Sequence, residues 1–127
     1  MALNGRVYDG FTGRGGQSIA YYPTTTYLLG FDQARGGSLL HGFNEWLTVR
    51  KGKHSSASWV AEVPKEAVPD FSFQSWLQLN RLTPEQNERA MECLYSLLTG
   101  FLRVRDNEQI MAEVYLKYQS LSLNAAD

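Results

Sequence analysis

The sequence predicts an α+β fold: a small, mostly antiparallel N-terminal sheet with one inserted helix, packed against C-terminal helices. Three observations lead there. Short β-branched and aromatic runs broken by glycine fill the first third of the chain, a texture that favours strands. From residue 38 onward the apolar spacing lengthens to a helical period. Predicted strands and helices do not alternate regularly, which separates the pattern from βαβ units.

Arg6–Tyr8, Ile19–Tyr22 and Thr24–Leu29 read as strands, with Pro23 forcing a break or an edge position between the last two. Leu39, Phe43, Trp46, Leu47 and Arg50 then recur at helical spacing. Ser38 is placed to cap that helix, and Gly52 to stop it after the basic turn of Arg50 and Lys51. Trp59, Ala61 and Val63 alternate with Ser58, Val60 and Glu62, which reads as a strand ended by Pro64. Asp70 or Ser72 would cap a short segment that turns Phe73, Trp76, Leu77 and Leu79 inward. In Thr83-Pro84-Glu85-Gln86, threonine is the N-cap, proline takes the first helical position and Gln86 completes a capping box. The stripe Ala90, Met91, Leu94, Leu97, Leu98, Phe101 and Leu102 makes this the longest helix, bent or interrupted at Gly100. Asp106, with Gln109 three residues on, starts a last helix that buries Ile110, Met111, Val114, Tyr115 and Tyr118.

The 127 residues suffice for one core and show no linker, so a single domain over 1–127 is expected. With 43% hydrophobic and 20% charged residues, the composition is that of a folded chain. No apolar run approaches the roughly 18 residues of a membrane span, and the N-terminus lacks a signal-peptide pattern. The single cysteine, Cys93, excludes an intrachain disulfide framework; together these point to a cytoplasmic protein. The net charge of −1 divides as +2 over residues 1–69 and −3 over 70–127. Neither half is basic enough to imply nucleic acid.

Two similar stretches, GFTGRGGQS at 10–18 and GFDQARGGS at 30–38, raise the question of phosphate loops. The first lacks the third glycine of a dinucleotide fingerprint, and neither has the lysine of a Walker A loop. They read as turns, although Gly36-Gly37-Ser38 leads into a predicted helix start with Arg35 beside it, where an anion would be favoured. His41 and Glu45 lie one helical turn apart but lack further ligands for zinc, so no metal and no cofactor is expected. Cys93 sits beside an apolar stripe with no histidine near it in sequence and reads as a core residue. Catalytic signatures of hydrolases and metalloproteases are missing, so no enzyme activity is expected. What remains is binding. Glu85, Glu88 and Glu92 line one face of the long helix, a strip suited to a basic partner. The N-terminal third is crowded with aromatics, of which Tyr21, Tyr22 and Tyr27 are candidate contacts. Arg14, Arg35, Arg50, Lys51 and Lys53 form the alternative, an anion or nucleic-acid surface.

The run GGSLLHGFNEWLTVR, Gly36 to Arg50, followed by Trp59, is similar to runs in small bacterial proteins. Taken whole, the chain resembles bacterial immunity proteins that neutralise secreted or contact-delivered toxins. That resemblance implies a role and no residues. It implies tight binding of one toxin domain, often by covering its active site, with carboxylates presented when the toxin is a basic nuclease. A homo-oligomeric structural subunit is the remaining expectation.

Overall fold

The computed structural model describes residues 20–54, 57–72 and 75–126. The predicted strand Arg6–Tyr8 and the whole first Gly-Phe stretch lie outside the described residues. Among the described residues there are five α-helices and one 3₁₀ helix, and no strand. The expected α+β fold is therefore corrected to an all-helical one.

Helix α1, Tyr21–Ala34, replaces the predicted strands on either side of Pro23. Proline sits in its first turn, where a missing N–H breaks no helical bond. The three threonines that argued for a strand instead turn their hydroxyls onto the helix backbone. Thr24 donates to the Ala20 carbonyl at 2.9 Å, Thr25 to Tyr22 at 2.7 Å and Thr26 to Pro23 at 2.8 Å. Threonine in a helix satisfies its hydroxyl in this way.

The second Arg-Gly-Gly stretch ends α1 in a Schellman motif. Gly37 N–H donates to Asp32 O at 2.8 Å and Gly36 N–H to Gln33 O at 3.0 Å, with both glycines at positive φ. The helix expected from Ser38 begins later, as α2, Phe43–Lys51. Gly42, at φ 90°, holds its start; a Cβ there would lie 2.7 Å from the Tyr115 hydroxyl oxygen. Gly52 stops α2 in the left-handed conformation, where the sequence placed its end.

The Trp59 strand is also a helix, α3, Trp59–Ala67, which buries Trp59, Val60, Ala61, Val63 and Pro64. Its apolar residues satisfy a helical stripe as well as the period-two pattern, so local alternation misassigned it. A 3₁₀ helix, Trp76–Arg81, follows with a Ser75/Gln78 capping box, in place of a cap at Asp70 or Ser72. It buries Leu79 and turns Trp76 and Leu77 outward, the reverse of their expected orientation.

Helix α4, Pro84–Val104, has the predicted Thr83/Gln86 box and buries Ala90, Leu94, Leu97 and Phe101. It runs through Gly100 without interruption, because the missing side chain makes room for Trp46, whose ring lies 3.3 Å from where a Cβ would be. Helix α5, Glu108–Ala126, is capped by Asn107 rather than Asp106: Asn107 Oδ1 accepts the Ile110 N–H at 3.0 Å.

Packing is pairwise, α2 on α5 and α3 on α4, with α1 laid on α4 and the 3₁₀ helix. Phe43 is the hub. Its ring is 5.7 Å from Trp59, 5.2 Å from Phe101 and 6.3 Å from Trp46, so α2, α3 and α4 meet through one aromatic cluster.

Candidate partner-binding face

Helix α4 has two chemically distinct sides. Its core stripe fixes one side against α1, α2 and α3, so the other side is held on a rigid element. At i, i+3, i+7, i+10 and i+17 that outer side carries Glu85, Glu88, Glu92, Tyr95 and Leu102, all exposed, so Leu102 does not belong to the core stripe in which its spacing places it. None of the three carboxylates is paired with a cation among the described residues. Glu85 lies in the first turn, where the helix dipole favours negative charge.

Tyr95 is 75% exposed, the most open of the large apolar side chains among the described residues. Sequence reasoning passed over it because it belongs to neither the core stripe nor the acidic triplet. Its spacing from Glu88 and Glu92, seven and three residues, was the available signal. The resulting strip combines unpaired negative charge with an aromatic anchor, the chemistry that meets a basic protein surface.

The other candidate contacts are dispersed. Tyr21 is fully buried, its hydroxyl donating to the Val60 carbonyl at 2.8 Å. Burial pushes its phenol far above the ordinary range, with Cys93 adding to the shift. Tyr22 is half-buried and stacked on Trp76, whereas Tyr27 is 72% exposed. The structure does not bring these tyrosines onto the acidic face of α4.

The cations of the alternative surface are largely engaged internally. Arg50 pairs with Glu66; Lys51 and Lys65 meet the Glu62 carboxylate at 2.8 and 3.1 Å. The Arg50 and Lys51 pairs tie the end of α2 to α3, and Lys65 meets Glu62 within α3. Arg35 covers the Phe31 ring at 5.5 Å, and Lys53 is exposed. Arg14 lies outside the described residues. The Gly36, Gly37 and Ser38 amides donate to the carbonyls of Gln33, Asp32 and Arg35, and the anion at this turn, met by the two amides that follow Ser38, belongs to the chain. Asp32 Oδ1 accepts from Leu39 N–H at 2.9 Å and Leu40 N–H at 2.8 Å. Arg105 holds the opposite side, donating to the Ser38 and Leu39 carbonyls at 2.6 and 2.9 Å.

His41 faces Tyr115 across 6.3 Å between ring centres. Burial and the nearby Glu45 raise the Tyr115 phenol above its usual value. Burial, then the charge of Glu66, also raise the Cys93 thiol, which keeps it protonated and so poorly nucleophilic. Among the described residues no group of three or more His, Cys, Asp or Glu side chains is arranged to hold a metal ion. Nor is any helix there long and apolar enough to cross a membrane. No family model matches the chain, and no curated protein or solved structure matches it.

Proposed function

We propose that this chain is a non-enzymatic binding protein of the bacterial immunity type, which docks the outer face of α4 onto a basic toxin domain in the cytoplasm. One observation carries the reading: Glu85, Glu88 and Glu92 have no ion-pair partner among the described residues and stand beside the exposed Tyr95, on the side of α4 turned away from the core. Unpaired carboxylates in line on a rigid helix steer a cationic partner and set its register. Tyr95 supplies the apolar contact area that a charge strip lacks.

The experiment is affinity purification of the tagged protein from its source cells, with a variant carrying Glu85→Lys, Glu88→Lys and Glu92→Lys run in parallel. A single stoichiometric basic protein, toxic when expressed alone, should be retained by the unaltered chain and lost by the variant. Equal capture by the variant, or capture of no such protein, would refute the proposal.

A further inference from the structure

Where the end of α2 meets α3, a pocket of about 260 Å³ opens, and every residue that lines it is ionisable: Lys51, Lys53, His54, Glu62 and Lys65. No apolar side chain among the described residues joins that lining, so the pocket is not built for a hydrophobic occupant. Its volume is below the roughly 300 Å³ at which pockets for drug-sized molecules begin, which suits a small ion. Glu62 fixes two of the cations. Lys51 Nζ meets its Oε1 at 2.8 Å and Lys65 Nζ its Oε2 at 3.1 Å, so one carboxylate spans two ammoniums. An ammonium has three N–H donors; among the described residues each of these lysines spends one on Glu62 and keeps the others. Lys53 is exposed and has no ion-pair or hydrogen-bond partner among the described residues. His54 is held beside them by its ring contact with Tyr118 of α5, 6.2 Å between centres. The adjacent Arg50 and Glu66 neutralise each other. Three ammoniums against one carboxylate leave a surplus of two positive charges in the pocket. The carbonyl end of α2 offsets only about half a charge of it.

We propose that this pocket binds a small phosphate dianion free in solution. A dianion matches the surplus of positive charge, and its several acceptor oxygens match the spare N–H donors of the lysines. Glu62 acts as a positioning residue: by holding Lys51 of α2 and Lys65 of α3 together, it removes much of the side-chain freedom that two loose surface lysines would lose on binding. The cation set read from the sequence is thereby divided. Lys51 and Lys53 share a site with Lys65, whereas Arg35 lies over Phe31 and Arg50 is held by Glu66. This site and the α4 face stand or fall separately, since they have no residue in common.

Amide NMR shifts of the full chain, titrated with inorganic phosphate at about pH 8 and fixed ionic strength, test this. Amides of residues 51–54 and 62–65 should move together and saturate, and sodium chloride at the same ionic strength should not reproduce the change. Lys53→Ala and Lys65→Gln should each weaken the phosphate about tenfold. Lys53→Ala removes no contact of the fold among the described residues, so the test survives if Lys65→Gln disturbs α3. Arg89→Ala, which removes an exposed cation of α4 outside the lining, should leave the affinity unchanged. Shifts that stay linear in phosphate, that chloride reproduces, or that persist unchanged in Lys53→Ala would overturn the proposal. Saturable binding of a single-stranded oligonucleotide at the same amides, with no response to phosphate, would make the pocket part of a nucleic-acid surface and overturn it equally.

Discussion

At the scale of single residues, the most consequential contact is a hydroxyl that stands in for a missing amide. Pro64 lies inside α3 and has no N–H to offer the carbonyl four residues back, that of Val60. Tyr21, fully buried on α1, donates its hydroxyl to that carbonyl at 2.8 Å. Tyr21→Phe should therefore orphan a buried acceptor and cost about 1–3 kcal/mol in denaturant unfolding. In a Pro64→Ala background the restored amide can take the Val60 carbonyl, so the same change should cost measurably less. Additive losses across the four variants would show that the two groups do not share the acceptor. Tyr21 also predicts alkaline behaviour. Its folded phenol is raised far above the unfolded value near 10 by burial. Its contribution to stability is thus complete below about pH 10 and declines as pH rises beyond it, by about 1.4 kcal/mol per pH unit. Tyr21→Phe should flatten that decline in unfolding free energies measured between pH 9 and 11.

At the scale of elements, the helices are capped in two different ways, and only one is readable locally. Thr83 and Gln86 close the start of α4 by a box written in four consecutive residues, and that helix was legible in the sequence. Helices α1 and α3 start at Ala20 and Ser58 with no side-chain cap of their own. Their first amides donate to asparagines on other helices: Tyr21 N–H to Asn87 Oδ1 at 2.7 Å, and Trp59 N–H to Asn44 Oδ1 at 2.8 Å. With no local start signal, both segments read as strands, since Thr, Tyr, Trp and Val carry strand propensity until tertiary contacts override it. Asn87→Ala and Asn44→Ala should each cost about 1 kcal/mol, the usual size of a lost cap. Amide exchange should locate the fraying in the first turn of α1 or α3 and leave α4 protected. A uniform loss of protection would mean that the asparagines serve the core rather than the helix starts.

At the scale of the whole molecule, α4 is both the centre of the core and the carrier of the candidate face, so stability and binding should separate by side. Phe43→Ala opens the cluster joining α2, α3 and α4 and should destabilise the protein by about 3–5 kcal/mol. The charge reversal at Glu85, Glu88 and Glu92 should lower unfolding free energy by no more than about 1–2 kcal/mol, most of it from Glu85 in the first turn, because all three are exposed. A large loss of stability from the reversal would place those carboxylates in the fold rather than in recognition. What the sequence by itself determined was the amphipathic α4 with its box and acidic strip, the stop at Gly52, and Met111 and Val114 on the buried face of α5, where Tyr115 and Tyr118 are half-buried and Ile110 is exposed against expectation. These depend on residues within a turn or two of each other. What only the tertiary structure decided was the all-helical fold, the burial of Tyr21, the internal pairing of Arg50 and Lys51, and the exposure of Tyr95. Each of these is settled by groups distant in sequence: asparagines on neighbouring helices, the Val60 carbonyl, the carboxylates of α3, and the absence, among the described residues, of a packing neighbour over Tyr95. Local propensity cannot register them, because the free energy involved arises only when the helices meet.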